Sequence, residues 1–310
     1  QLAPPEAGTE VFDIDTRTGN QPSFVASFEP DMAIKRNIGI VLSNSIAARL
    51  TGTGELTTNG TAAESSDSGF LWDYMDGWAN DGSANSDVYS WMWKRAPSYF
   101  DAVCYTGNST AGRAVSHNVL GVAPEMIWLK NRNGASGGAR PWIVYHKATG
   151  NTGYLKLNET SALITSDPES KFGNGTVGVS PTASGFTVAG DYEVNYSGDT
   201  YIAYLFASLP GVSKVGSYTG NGTSQTINCG FTSGARFVLL KVASTDDDWF
   251  LWDSLRGINA GAEPYLRLNS TSAEITTNDR LDPHSSGFAV DGNDTSNNKN
   301  GETYIFYAIA

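Results

Sequence analysis

Tyr218-Thr219-Gly220-Asn221-Gly222 gives the first clue to the fold. Asn-Gly after an apolar-leaning run reads as a tight hairpin turn between two strands. The same Thr-Gly-Asn stands at Tyr105-Thr106-Gly107-Asn108 and at Thr18-Gly19-Asn20. Recurrence over roughly a hundred residues is the mark of a chain built from copies.

Further landmarks follow each Thr-Gly-Asn in one order. A buried strand ending in a basic residue comes first: Met32-Ala33-Ile34-Lys35-Arg36, Met126-Ile127-Trp128-Leu129-Lys130 and Phe237-Val238-Leu239-Leu240-Lys241. An aromatic strand comes next, Trp142-Ile143-Val144-Tyr145-His146 and Trp249-Phe250-Leu251-Trp252-Asp253; the first copy has no clear counterpart and reads as shortened. Leu155-Lys156-Leu157-Asn158 matches Leu266-Arg267-Leu268-Asn269, with Leu50-Thr51-Gly52 as a weaker echo. Ser-Gly-Phe recurs at Ser68, Ser184 and Ser286, and each copy closes on an aromatic strand: Tyr89–Trp93, Tyr201–Phe206 and Tyr304–Ile309.

These spacings predict an all-β chain of three tandem antiparallel β-sandwich modules, jelly-roll or lectin-like, packed end to end. Residues 1–11 form an N-terminal extension, 12–102 a divergent first module, 103–212 a second and 213–310 a third. Period-two alternation, as in Leu155-Lys156-Leu157, supports strands. Asp73–Trp78 offers at most one helical turn.

Composition agrees. The chain has 310 residues, 34 Gly and 12 Pro, with 40% hydrophobic, 11% aromatic and only 17% charged residues. Glycine and proline punctuate turns, and a disordered chain would be poor in aromatics. The net charge of -12 argues against nucleic acid and against an anionic membrane surface as partners. Cys104 and Cys229 read as reduced thiols used as small buried hydrophobes, with one long-range disulfide as the alternative. No apolar run reaches the roughly 18 residues of a membrane helix. The start, Gln1-Leu2-Ala3-Pro4-Pro5, lacks the basic and apolar regions of a signal peptide and reads as a processed or partial chain.

Candidate chemistry is sparse. His117, His146 and His284 occupy different landmarks, outside any nucleophile elbow, and read as surface or edge-strand residues. Asp246-Asp247-Asp248 and Asp291–Asp294 could hold calcium, but neither has the spacing of an EF-hand, so solvated loops are the plainer reading. No acid stands alone in an apolar strand, as a glycosidase pair would suggest. The expectation is therefore no catalytic residue, no metal and no cofactor. Trp142 and Trp249, recurring at one landmark, read as core. Trp72 and Trp78 lie in a polar stretch special to the first copy and are the candidate ligand-binding residues, as stacking platforms for a sugar.

Several strings together resemble a family of tailed-bacteriophage proteins of marine and cyanophage type. They are Ser90-Trp91-Met92-Trp93-Lys94-Arg95-Ala96-Pro97, Gly121-Val122-Ala123-Pro124-Glu125-Met126-Ile127, Trp142–His146, Leu209–Gly222 and the closing Tyr304-Ile305-Phe306. The resemblance runs from about Val11 to the last residue and is weakest in the first copy. It implies a virion structural protein: a tail fibre, spike, baseplate or capsid-decorating component, without catalysis. Its implied partners are further copies of itself as a homotrimer, other virion proteins and a host surface glycan. A carbohydrate-binding receptor-recognition protein and a polysaccharide depolymerase are the alternatives.

Overall fold

The computed structural model describes residues 3–134, 138–165, 171–174 and 177–310. Three large antiparallel sheets are built in one way. An opening strand (Phe12–Arg17, Phe100–Thr106, Ser213–Thr219) pairs with a closing strand (Asn85–Trp93, Thr200–Phe206, Thr303–Ile309). The closing strand pairs on its other side with a central strand (Met32–Asn37, Met126–Asn131, Phe237–Val242). A return strand follows (Ser45–Ala48, Ile143–His146, Phe250–Asp253), then an outer strand (Gly54–Thr57, Gly150–Lys156, Leu266–Arg267). Registers coincide as well. Trp93 lies opposite Phe12 and Met32, Phe206 opposite Phe100 and Met126, and Ile309 opposite Ser213 and Phe237. Because the second opening strand starts at Phe100, the boundary expected at 102 cuts through it.

The central strands explain the layering. Alternate side chains leave a strand on opposite faces. Met126 and Trp128 enter one large cluster, whereas Ile127 and Leu129 enter another. Phe237 and Leu239 divide from Val238 and Leu240 in the same way, as do Met32 and Ile34 from Ala33. The large cluster is common to all three sheets. On its other face each sheet keeps a cluster of its own. That face is covered by a small sheet: Phe24–Val25 with Gly77–Trp78, Arg113–Ser116 with Gly185–Val188, or Gln225–Asn228 with Gly287–Val290 and Leu281–His284. Packing end to end is thus replaced by packing around a shared core. Two-sided burial is why the central strands read as near-continuous apolar runs.

Neighbouring sheets are joined by one repeated set of hydrogen bonds. Lys130 Nζ donates to the Thr61 carbonyl, Lys241 Nζ to that of Thr160, and Arg36 to those of Thr271 and Ser272. The Trp142 indole donates to the Thr57 carbonyl and the Trp249 indole to that of Lys156. In the first unit Asn44 stands at this place and donates to the carbonyls of Arg267, Leu268 and Ser270. First meets second, second meets third, and third meets first.

Several local expectations change accordingly. The first unit does have the missing strand: it is Ser45–Ala48, and the amide of Asn44 just before it donates to Asn59 Oδ1 as Trp142 does to Asn158 and Trp249 to Asn269. The counterpart of Leu155–Asn158 is Leu56–Asn59; Leu50-Thr51-Gly52 instead forms a 3-10 turn and its exit. Asp73–Trp78 holds turns and a short strand, not a helical turn. Tyr218–Gly222 is no hairpin, because the strands on either side belong to different sheets. A Cβ on Gly220 would meet the Lys299 carbonyl oxygen at 2.2 Å, and one on Gly107 the Tyr196 oxygen at 2.0 Å. Glycine is required there by close approach, and Asn221 pairs with Asn298 as Asn108 pairs with Asn195. Cys229 is buried as expected, but Cys104 is exposed and both are free thiols.

Candidate functional site

Trp72 and Trp78 do not form a surface. Trp78 is wholly buried, stacked between Phe24 and Trp72 at 5.2 Å from each, and its indole N–H donates to Ser90 Oγ. Trp72 is 6% exposed and donates to the Gly52 carbonyl. Their polar neighbours in sequence lie in turns around this cluster, whereas the rings fill the first unit's own core. The sugar-stacking expectation is therefore corrected: both are packing residues.

A surface cleft of about 600 Å³ opens where the second unit meets the third. One wall is the end of the second return strand, His146-Lys147-Ala148, together with Glu125. The other is the third opening strand, Lys214–Tyr218, with Gln225–Asn228 of the covering sheet. Glu125 holds this wall in place. Its carboxylate accepts from Lys147 Nζ at 2.8 Å and from the Ser208 amide and hydroxyl. Burial pushes this carboxyl up, but the bonds from Lys147 and Ser208 outweigh it and keep it below its ordinary range.

His146 was expected at a surface and is 1% exposed. Burial drives its pKa down to about 4, so the ring is neutral at pH 7. Its Nδ1 accepts the Ala148 amide at 3.1 Å, which places the proton on Nε2. His117 is buried too, and only His284 is exposed.

Acids absent from the sequence expectation lie inside the protein. Asp253 ends an apolar strand at the seam between the third and first units and is fully buried. It accepts the Trp91 indole N–H at 3.0 Å and the Arg256 guanidinium at 2.5 Å, and Arg256 also reaches Glu274. The sequence reading placed Asp253 at the end of this strand but gave it no role. Glu263 is buried in a loop without any periodic signal, and burial raises its pKa to about 7. One of its oxygens accepts from Trp252, Arg280 and Leu281.

The loop acids divide by role. Asp246 accepts the Ala162 amide and the Asp247 amide donates to the Thr160 carbonyl, so this run holds the seam between the second and third units, while Asp248 pairs with Arg267 within the third. Asp291 joins Asp279 and Asp282, with carboxylate oxygens within 4.8 Å of one another. A hydrogen bond to Asp291 pushes Asp282 up to about 6. A glycosidase pair would stand about 5 Å or more apart with the sugar between them. Asp294 instead caps its own turn through the Ser296 amide.

Residues 16–310 match the family model described as "Domain of unknown function (DUF7483)". No curated protein matches the chain.

Proposed function

We propose, for a chain that belongs to the DUF7483 family, a structural and contact role in a tailed-phage-type particle, without catalysis. In this reading the chain is three tandem copies of one antiparallel module folded about a common axis, so that one chain has the form of a trimer. The supporting observation is the closed cycle of seams. Arg36, Lys130 and Lys241 each reach carbonyls of the adjacent unit, and the three large sheets share strand order and register. Repetition of one unit around a shared core gives a stiff, disulfide-free body from little sequence diversity. Such a body suits a fibre, spike, baseplate or decoration component with other virion proteins as partners. The homotrimer implied by the resemblance is then supplied within a single chain.

Ile40, Val41 and Leu42 are 51%, 73% and 48% exposed, forming an apolar tip without a counterpart among the described residues of the other two units. This tip breaks the internal symmetry and would let a partner distinguish one unit from the others.

Two measurements test the proposal. Light scattering of the purified chain should give one chain of 33.0 kDa; a mass three times larger would overturn the single-chain trimer. An antibody raised against the chain should label intact tailed particles in negative-stain images. Unlabelled particles from a lysate that contains the protein would overturn the virion role.

Host glycan contact is the second reading. Tyr192 is 50% exposed, stacks on Tyr196 at 4.5 Å and lies beneath Arg140. An exposed aromatic pair of this kind suits the C–H face of a sugar.

A further inference from the structure

Lys35 occupies a place where the other two units keep leucine. On the central strands Lys35, Leu129 and Leu240 stand just before the seam residues Arg36, Lys130 and Lys241. They face the covering sheets, not the shared core. The covering sheets carry a matching change. Trp78, Phe186 and Phe288 lie opposite Phe24, Val115 and Ile227, and two residues further on stand Asn80, Val188 and Val290. Leu129 and Val188 belong to one apolar cluster, and Leu240 and Val290 to another. The first unit puts a lysine and an asparagine at these two places.

The pair is in direct contact. Lys35 Nζ lies 2.6 Å from Asn80 Oδ1, so the amide carbon is one bond beyond the contact. Glu55 and Asp67 act on Nζ through their charge; burial outweighs them and lowers the amine below the ordinary lysine range. Asn80 is 4% exposed. The other end of its side chain, Nδ2, donates to Asp67 Oδ2 at 3.2 Å. Its main chain is fixed by Ser23 Oγ, which accepts the Asn80 amide and donates to the Asn80 carbonyl. Asp67 is held in turn by the Gly69 amide on Oδ1, and the Phe70 ring packs 5.0 Å from Nζ. A desolvated amine, an amide carbon and a carboxylate thus stand in one row. Desolvation makes a lysine nucleophilic, and fixed approach replaces a bimolecular encounter.

We infer that Lys35 and Asn80 join in an intramolecular isopeptide bond, with Asp67 as the proton carrier. The Nζ lone pair attacks Asn80 Cγ and forms the new C–N bond. Asp67 takes the proton that Nζ gives up and passes it to Nδ2. The Cγ–Nδ2 bond breaks and ammonia leaves; nothing is oxidised or reduced. The bond ties the central strand to the covering sheet where that cover is smallest. Phe24–Val25 and Gly77–Trp78 are strands of two residues, against four in Arg113–Ser116 and Gly185–Val188. It gives the first unit a covalent tie in a chain whose two cysteines are free. The inference does not rest on the virion role.

The test is peptide mapping of the purified full chain by mass spectrometry. Trypsin cuts after Arg17, Arg36, Arg49 and Lys94, and an acylated Lys35 is not cut. The bond should therefore appear as one species joining residues 18–36 to 50–94, about 17 Da lighter than the two peptides together. Lys35→Arg keeps the charge and a hydrogen-bond donor but has no nucleophilic amine, and Asn80→Ala removes the amide; each should give separate peptides only. Asp67→Asn cannot carry the proton and should yield at least about tenfold less of the joined species. Separate peptides from the unmutated chain, with Asn80 intact or hydrolysed to aspartate, would overturn the bond whatever the variants do. A joined species that persists in Lys35→Arg would place the link elsewhere and overturn the assignment. Full joining in Asp67→Asn would overturn the role of Asp67.

Discussion

The seam between the third and first units does the same work as the other two seams with different side chains. At the first–second and second–third seams an indole and a lysine reach across: Trp142 with Lys130, and Trp249 with Lys241. At the third–first seam an amide and a guanidinium do so, Asn44 with Arg36. The acceptors are main-chain carbonyls throughout. What persists is therefore a backbone arrangement, and any donor of suitable reach satisfies it. The apolar share is redistributed. Where the other closing strands carry Tyr204 and Tyr307, the first carries Trp91, which lies against Arg256 and donates to Asp253.

The largest expected effect separates indole from amide. Trp249 is 1% exposed in the shared core, so Trp249→Ala removes a buried ring as well as a hydrogen bond. A cost of about 3–5 kcal/mol follows from the cavity. Asn44→Ala removes donors to three carbonyls and almost no volume, and should cost about 1–3 kcal/mol. Urea unfolding of both variants checks the ratio. Equal losses would mean that the seams depend on hydrogen bonds alone, and the contrast drawn here would fail.

That contrast also shows what was legible in the sequence. Strand identity and repetition could be read because aromatic and aliphatic residues recur in period two. The first unit's return strand was missed because its signal was Trp, and Asn44 keeps the hydrogen bonding while discarding the indole. The shared core was invisible for a different reason. Trp128 and Leu129 look alike in a string, yet they face different clusters, and no local pattern says that one face meets two other sheets. Trp72 and Trp78 misled because their polar neighbours Asp73, Asp76 and Asp81 belong to turns around a core rather than to an exposed platform. His146 could not be recognised at all, since burial at a seam has no sequence periodicity.

A second prediction uses pH to divide the seams. Burial lowers both Lys130 and Lys241 to about 8 from 10.5. Between those values the unfolded chain binds more protons than the folded one, so stability rises with pH across the window. Each lysine should contribute up to about 3 kcal/mol of that rise. Lys130→Met should flatten part of it when stability is measured from pH 7.5 to 10.5. Arg36 is also lowered by burial, but only to about 10, so Arg36→Met should leave the slope below pH 9 unchanged. A slope that vanishes in the Arg36 variant, or persists in Lys130→Met/Lys241→Met, would contradict this division.

The smallest effect concerns the tip that distinguishes the first unit. Val41 is 73% exposed and neighbours Leu42, whose amide donates to the Thr271 carbonyl across the third–first seam. The backbone here belongs to the seam, whereas the Val41 side chain points into solvent. Val41→Ser should therefore change stability by less than about 0.5 kcal/mol, because exposed apolar groups gain little on folding. Leu42→Pro removes the seam amide and should cost about 1–3 kcal/mol from the lost hydrogen bond and the restricted backbone. Thermal unfolding of the pair distinguishes a tip kept for contact from one kept for folding. If Val41→Ser destabilised the chain as much as Leu42→Pro, the apolar tip would belong to the fold, and its exposure would no longer favour a partner.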